Sequence, residues 1–391
     1  MSVQSEIDRI ITAVGNAYSK VSEKGGTVPS SQTVANLATA IDSIPVGGGG
    51  ETPSSAKWDD VTFIDYNGSV LYSYSLAEAQ ALTELPALPS HDGLVCQGWN
   101  WTLEAIKSLN RPVTVGAMYI TDDGATRLHI RIATVGRMTV PLYIGQTMSN
   151  GVSIDWGDGS TAETLPGTGN VNTSHTYTEP GDYIISLMPQ DGCTLSFGAG
   201  ESSYCVMGYN IINGIVYCNM LQDVSIGKNV TSIINYAFQN CYSLASITIP
   251  TSVTSIDNNA FQNCYSLASI TIPTGVISIG NIAFQNCYSL ASIIIPTGVI
   301  SIRGYTFYDC RSLASIIIPT GVTSIGNSAF QNCYGMRYYD FSACTAIPAL
   351  SNTNAFNNIP SDCQMLIPSA LYNNWKAATS WATYASKMVS V

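Results

Sequence analysis

The sequence contains little charge: Asp, Glu, Lys and Arg make up only 10% of its 391 residues. Its 15 basic residues are outnumbered by 26 acidic ones, so the formal net charge is −11 at pH 7. A nucleic-acid-binding protein needs a basic stripe to neutralise phosphates, and this sequence has none. It also has no apolar run of about 18 residues, the length that a membrane-spanning helix requires. We therefore expect no nucleic-acid partner and no membrane insertion.

Residues that commonly carry catalysis are scarce as well. The three histidines are His91, His129 and His175, and none lies in a metalloprotease, nucleophile-elbow or phosphate-loop motif. Asp155 and Asp158 belong to a turn, where acidic residues more often shape the backbone than hold calcium. The sequence thus predicts no catalytic residue, no metal and no cofactor. A glycan-active enzyme is the remaining alternative, because the spacing of paired carboxylates is set in space and not along the chain.

One 23-residue unit recurs through the second half of the chain. From Phe238 it reads FQNCYSLASITIPTSVTSIDNNA, and close copies begin at Phe261, Phe284 and Phe307. In each copy isoleucines alternate with small polar residues, as in a short strand with one buried face, and a proline ends the strand. A fixed period of this length predicts a solenoid, whose units bury their apolar faces against one another. The long regular surface of a solenoid suits binding better than catalysis.

The repeat pattern C-x-x-L-x-x-I-x-I-P-x-x-V-x-x-I-x-x-x-A-F resembles the BspA-like class of bacterial leucine-rich repeats. The resemblance extends from about Cys218 to Pro368 and implies a solenoid over residues 201–368. The tail that follows resembles the segment that closes many such arrays, so we expect a capping helix over residues 369–391. The residues predicted to share its covering face are Leu371, Trp375, Ala378, Ala382 and Ala385.

Two β-rich segments precede the repeats. The motif WGDGS from Trp156, followed by HTYTEPGDYIISL from His175, resembles a PKD domain, which implies an immunoglobulin-like sandwich over residues 128–200. Residues 57–127 resemble the small β-grasp domains of internalin-type surface proteins, with a hairpin turn at residues 66–68. The predicted fold is therefore mainly β and multidomain.

The first part of the chain has a different composition. Residues 1–46 alternate apolar positions as in two short helices, and we expect a helical hairpin there that serves docking or oligomerisation. Residues 47–56 include four consecutive glycines and form a predicted flexible linker.

Eleven cysteines are present, and six of them recur with the 23-residue period. We interpret these six as buried free thiols that act as small apolar residues. A disulfide between neighbouring coils is the alternative, since strands about 4.8 Å apart would permit one on distance alone. The six periodic cysteines are Cys218, Cys241, Cys264, Cys287, Cys310 and Cys333.

Two surfaces are candidate binding sites. The first is the outward face of the main sheet, which becomes apolar and aromatic towards the C-terminus, at Ile294, Ile317, Tyr338 and Asp340. The second is a column of tyrosines at equivalent positions of successive coils, interrupted by an arginine. Tyrosine offers a rigid ring and a hydroxyl for binding sugars or proteins. The alternative is that the rings only stack on one another. The column consists of Tyr242, Tyr265, Tyr288, Arg311 and Tyr334.

These features predict a non-enzymatic attachment protein. A helical docking segment, β-domains and a distal repeat array together resemble the layout of a phage tail fibre or receptor-binding protein. The N-terminal residues MSVQSEIDRII lack the pattern of a secretory signal, which favours a virion component. The expected partner is a bacterial surface glycan or protein, with a virion or sister-chain partner for residues 1–46. The alternative is a bacterial cell-surface adhesin that binds host protein or glycan.

Overall fold

The computed structural model describes residues 60–65, 69–99, 101–107, 109, 114–198, 204–209 and 217–391. The predicted helical hairpin and linker of residues 1–56, and the hairpin turn at residues 66–68, lie outside these described residues. The described chain is mainly β, with a repeat solenoid and a short helix near its C-terminus, which confirms the predicted fold class. No helix among the described residues is long and apolar enough to cross a membrane.

A four-stranded module, residues 60–121, comes first. Its elements are β1 (Asp60–Ile64), β2 (Val70–Ser75), α1 (Leu76–Gln80), β3 (Leu94–Trp99), α2 (Leu103–Lys107) and β4 (Thr114–Thr121). The strands lie in the order β2-β1-β4-β3, with β1 and β4 parallel at the centre of the sheet. Nine buried residues, including Phe63, Val115 and Tyr119, make a hydrophobic core that belongs to this module alone.

A two-sheet sandwich follows the module. Its strands are β5 (Thr126–Ile132), β6 (Thr139–Gln146), β7 (Val152–Asp155), β8 (Glu163–Thr164), β9 (Gly169–Thr176), β10 (Gly181–Pro189) and β11 (Leu195–Phe197). One sheet contains β5-β10-β7-β8 and the other contains β11-β6-β9. Leu128, Ile130 and Ile132 alternate with more exposed residues along β5, so that one face of the strand enters the core.

The sandwich continues into the solenoid without a break in hydrogen bonding. A short hairpin of β12 (Tyr204–Cys205) and β13 (Gly208–Tyr209) leads to β14 (Leu221–Ser225), the first strand of the repeats. Strand β14 pairs antiparallel with β5 on one side and parallel with the next repeat strand on the other. The sandwich and the repeats also share one cluster of buried hydrophobic residues. The sandwich therefore closes the N-terminal end of the solenoid.

The solenoid has two runs of short parallel strands. The main sheet contains, after β14, the strands β16 (Ser246–Thr248), β18 (Ser269–Ile270), β20 (Ser292–Ile293), β22 (Ser315–Ile317), β24 (Tyr338–Asp340) and β26 (Gln364–Ile367). The second run contains β15 (Ser232–Ile233), β17 (Ser255–Ile256), β19 (Ser278–Ile279), β21 (Ser301–Ile302), β23 (Ser324–Ile325) and β25 (Ala349–Leu350). Equivalent residues of successive coils pair in register, as with Ser255 and Ser278.

Identical side chains stack along the core of the solenoid. The repeat phenylalanines, from Phe238 to Phe356, lie with ring centroids 5.3–5.6 Å apart and nearly parallel planes. From Cys264 to Cys333, each periodic cysteine lies 3.2–3.3 Å from the main-chain oxygen of the phenylalanine in the preceding coil. The buried thiol thus donates to a carbonyl of the preceding coil. In the case of Phe238, that carbonyl also accepts a hydrogen bond of 3.2 Å from the Cys241 main-chain N–H.

Asparagine occupies one special backbone position in most coils. Asn240, Asn263, Asn286 and Asn332 have φ between 60° and 65°, in the left-handed region that asparagine tolerates better than most residues. The amide of Asn263 donates to that of Asn240 at 2.6 Å, so these side chains also form a ladder. The turn therefore favours the asparagine in each FQNC sequence, and Asp309 takes the same conformation in the one coil that lacks it.

The C-terminal tail covers the last coil, although not as one helix. It contains α3 (Tyr372–Ala377), a 3₁₀ helix (Trp381–Lys387) and β27 (Met388–Ser390), which extends the main sheet beside β26. The prediction of one covering face over residues 371–385 was wrong in part: Trp375 is buried, but Ala382 is exposed. The helix ends at Ala377, and Ser380 adopts a φ of 68°, so the later residues follow a different axis.

Trp381 anchors this tail. Its side chain is buried, and its indole N–H donates to the Pro348 carbonyl at 2.7 Å. Its ring centroid lies 5.3 Å from those of both Phe341 and Trp375. We expect Trp381→Ala to lower the free energy of unfolding by about 3–5 kcal/mol, the range for a buried aromatic residue. The measurement is urea unfolding followed by circular dichroism. Val389→Ala, a partly exposed site in the same tail, should change that energy by less than about 0.5 kcal/mol. Equal effects of the two changes would contradict the anchoring role.

A histidine and an aspartate fix the turn of the sandwich. His175 Nε2 lies 2.7 Å from Asp158 Oδ2, and the imidazole stacks on Trp156 with 5.0 Å between ring centroids. Hydrogen bonds from Ser160, followed by the contact with His175, lower the pKa of Asp158 from 3.8 to about 2. His175 therefore contributes to the packing and the hydrogen bonding of this turn.

The lowered pKa predicts acid sensitivity. A carboxyl group with a depressed pKa in the folded state stabilises the fold above its ordinary pKa of 3.8, and this contribution disappears as the pH falls to about 2. We expect the free energy of unfolding to fall over this window, and Asp158→Asn to make the decline shallower. Urea unfolding at several pH values measures how this free energy depends on pH. Asp191→Asn, at an exposed site, is the control, and a variant Asp158→Asn with an unchanged decline would contradict the assignment.

Candidate binding surfaces

The tyrosine column forms as a stack of rings along three coils. Tyr242 and Tyr265 lie 4.6 Å apart between centroids with planes 7° from parallel, and Tyr265 and Tyr288 lie 4.7 Å apart at 16°. The Arg311 guanidinium covers the next face of the stack, 4.3 Å from the Tyr288 centroid. Tyr334 in the following coil is 53% exposed. The rings therefore stack on one another, as the alternative interpretation of the column expected.

Stacking determines which parts of the column a ligand can reach. Both faces of the Tyr265 ring are covered by its neighbours, so its outward edge and hydroxyl are the accessible parts. Partial burial raises the pKa of the Tyr242 hydroxyl, which keeps that group protonated as a hydrogen-bond donor. Asp309 binds Arg311 through two hydrogen bonds of 2.9 and 3.0 Å, so this guanidinium is already neutralised. The column thus offers uncharged edges and hydroxyls at a regular spacing.

The outward face of the main sheet is covered by the four-stranded module. The polar residues expected to face solvent there are buried: Ser246, Thr248 and Ser269. A Cβ atom placed on Gly116 of strand β4 would lie 2.4 Å from the Thr271 hydroxyl oxygen, so β4 approaches this face closely next to Thr271. Ile317 packs against the core of the module. Part of the apolar patch predicted as a ligand site therefore meets another part of the same chain.

The remaining residues of that face differ in exposure. Ile294 and Tyr338 are half-buried, and Tyr338 pairs with Ser315 and Gln364 in the sheet. The expectation that Asp340 faces solvent was wrong, because its side chain is fully buried. Its Oδ1 accepts a hydrogen bond of 2.8 Å from the Ser342 main-chain N–H, which turns the carboxylate towards the bend after the strand. A binding role for these four residues remains a prediction.

Two exposed isoleucines were not predicted from the sequence. Ile277 and Ile300 lie at equivalent positions beside the second run of strands, and they are 63% and 65% exposed. Exposed threonines, Thr254 and Thr323, occupy the same position in neighbouring coils. The threonines at this position in the neighbouring coils could have indicated from the sequence that the two isoleucines face solvent.

Nine of the eleven cysteines are free, and the interpretation of Cys218 as a free thiol was wrong. Cys218 forms a disulfide with Cys205, which lies outside the 23-residue pattern. The other five periodic cysteines are free and buried, and burial raises the pKa of their thiols. Cys241 lies beside the disulfide, and its sulfur and those of Cys205 and Cys218 lie within 4.8 Å of one another. Among the described residues these three form the single cluster with metal-ligand spacing.

Burial predicts the reactivity of the thiols. Reaction with a disulfide reagent requires an accessible thiolate, and of the nine free cysteines Cys96 alone is exposed. Burial also raises the pKa of the Cys363 thiol to about 12. Titration of the native protein should therefore detect one thiol per chain, and titration in denaturant without reductant should detect nine. Rapid modification of several native thiols would contradict this packing, and Cys96→Ser should abolish the native signal.

The repeats match a known protein family. Residues 211–337 match the family model described as BspA type leucine-rich repeat region, in six copies. No curated protein sequence matches the chain.

Three solved structures resemble parts of the chain. A leucine-rich repeat protein from T. pallidum is 24% identical, with 51% of this chain and 88% of that chain covered and a TM-score of 0.30. A leucine-rich cell surface protein from Faecalibacterium prausnitzii is 26% identical, with 39% and 55% covered and a TM-score of 0.24. A leucine-rich repeat protein from Bacteroides ovatus is 20% identical, with 56% and 66% covered and a TM-score of 0.27. The family match alone carries the conclusion that residues 211–337 are a BspA-type leucine-rich repeat region.

Proposed function

We propose that this protein is a non-enzymatic attachment protein that binds a bacterial surface glycan or protein along the tyrosine column. The observation that carries the proposal is the regular row of ring edges from Tyr242 to Tyr288, which continues to the exposed Tyr334. The rings are held by stacking before any ligand arrives, so little side-chain entropy is lost on binding. A preorganised aromatic surface on a repeat scaffold suits recognition.

The character of the surface predicts how a ligand would be held. Arg311 is paired with Asp309, and the tyrosine hydroxyls are neutral, so the column offers no free charge to a ligand. Affinity would then come from contact area and from hydrogen bonds to hydroxyls, with little dependence on salt concentration. The side-chain amides of Gln239 and Gln262, joined at 2.6 Å, add further polar groups with the same coil-to-coil repeat.

The proposed setting is the surface of a phage virion, where the chain would act as a tail-fibre-like component. In that setting, residues 1–46 would dock to a virion protein or to a sister chain. The second candidate is a bacterial cell-surface adhesin. The Cys205–Cys218 disulfide supports a setting outside the reducing cytoplasm, a condition that the adhesin meets directly. The genes beside this one, tail and lysis genes or surface-protein genes, separate the two candidates.

Removal of two rings tests the binding surface. We expect the double change Tyr265→Ala and Tyr288→Ala to weaken adsorption to bacterial cells by about 2 kcal/mol or more, the usual effect of truncating central interface tyrosines. Tyr305→Ala is the matched control, because this residue is also a partly exposed tyrosine but lies outside the column. Adsorption measured at low and high salt should differ little for the unchanged protein.

A second pair of variants separates stacking from hydrogen bonding. Tyr265→Phe and Tyr288→Phe keep the rings and remove the hydroxyls, so weaker adsorption by these variants would assign the loss to the hydroxyls. Thermal unfolding of every variant shows whether the fold is intact. Undiminished adsorption by a folded Tyr265→Ala and Tyr288→Ala chain would refute the proposed surface.

A further inference from the structure

We propose that the four-stranded module is a detachable cover over the main-sheet face. In the closed arrangement it keeps other partners from this face, and it can separate from the face while the solenoid stays folded. This inference does not depend on the tyrosine column, which lies at another position of the coil. It starts from two separate cores: the module buries nine hydrophobic residues in a cluster of its own. The sandwich and the solenoid bury theirs in a second cluster. Each part thus retains its core when the two separate.

The surface between them differs from either core. On the solenoid side it contains small polar residues, among them Ser246, Thr248 and Ser269, all buried. The Thr248 hydroxyl has no hydrogen-bond partner there. A hydroxyl buried without a partner destabilises the covered arrangement relative to an open one in which water binds it. Apolar contact is also present, since Ile317 packs against the module core. An interface with this share of buried polar groups resembles the transient interfaces between domains.

The module is shaped to lie flat on this face. Val115, Ala117 and Tyr119 of strand β4 enter the core of the module, so Gly116 and Met118 lie on its opposite side. Gly116 has no side chain, and this permits the close approach of β4 to Thr271. A bulky side chain at this position, such as that of valine, would collide with the Thr271 side chain. The glycine therefore serves the covering contact and is not needed by the module core.

The connection keeps the cover close after release. Only residues 122–125 separate β4 from β5, the strand of the sandwich that pairs with the first repeat strand. A tether this short holds the module at a high effective concentration near the sheet, so the closed arrangement is the resting one. The module thus blocks one face of the main sheet, which an uncovered repeat array would present to a partner. The residues of this face are Ser246, Thr248, Ser269, Thr271 and Ile317.

A cysteine probe under the cover tests this. The background is the full chain with Cys96→Ser, which removes the exposed thiol. Thr271→Cys in this background is the probe. Thr323→Cys, at an exposed threonine in a separate chain, is the matched control. We expect maleimide to label Thr271→Cys at least about tenfold more slowly than Thr323→Cys, because labelling waits for the cover to open. Adding Ile317→Asp or Gly116→Val should accelerate labelling of Thr271→Cys by a similar factor and leave Thr323→Cys unchanged.

A cross-link provides the complementary measurement. A Cβ atom at Gly116 lies 3.3 Å from the Thr271 Cβ, close to the separation found in disulfides, so Gly116→Cys with Thr271→Cys should link under mild oxidation. Labelling of Thr271→Cys as fast as Thr323→Cys in the otherwise unchanged chain would show an open face and overturn the proposal. Slow labelling that neither opening variant accelerates would show a fixed interface and overturn it as well. Circular dichroism reports the fold of each chain, and if Ile317→Asp unfolds, Gly116→Val decides the outcome.

Discussion

The constraint on which the solenoid depends is coil-to-coil register. Phenylalanine stacks on phenylalanine at 5.3–5.6 Å only if every coil turns its chain at the same place. The asparagines with φ near 60° provide that turn, and their side chains bind one another as well. One residue type thus fixes both the path of the backbone and a polar ladder. The burial of thiols and isoleucines then follows from the register, since each coil covers the next.

A register of this kind leaves two open ends, and the chain closes each by different means. At the N-terminal end, β5 of the sandwich pairs with the first repeat strand, and Phe197 lies 5.3 Å from Phe238, so the phenylalanine stack is extended as well. At this junction the imidazole of His129 binds Asp223 and Asp182 at 2.7 and 3.1 Å. At the C-terminal end, tryptophans and β27 cover the last coil. Exposed strand edges, which promote aggregation, are thereby protected.

Much of this could be predicted from the sequence, because the information is periodic. The 23-residue repeat predicted the solenoid, its buried isoleucines and the stacked tyrosines. The disulfide could not be predicted, since Cys205 lies outside the period that identified Cys218. The exposure of Asp340 was mispredicted because strand alternation does not include the bend at Ser342, whose main-chain N–H donates a hydrogen bond to the Asp340 carboxylate. The covered face was missed for a different reason: Gly116 and Thr271 are far apart in sequence, and neither belongs to a pattern that points to the other.

The pair of Asp309 and Arg311 has a further consequence. Five coils that are almost interchangeable could also stack one coil out of step, with the same phenylalanine contacts and the same amide ladder. In one coil alone, aspartate replaces the turn asparagine and arginine replaces the column tyrosine, and the two bind each other. A shifted stack would bring this pair against different neighbours and remove the guanidinium from the ring of Tyr288. The single irregular coil therefore distinguishes the correct register of the coils from a shifted one during folding.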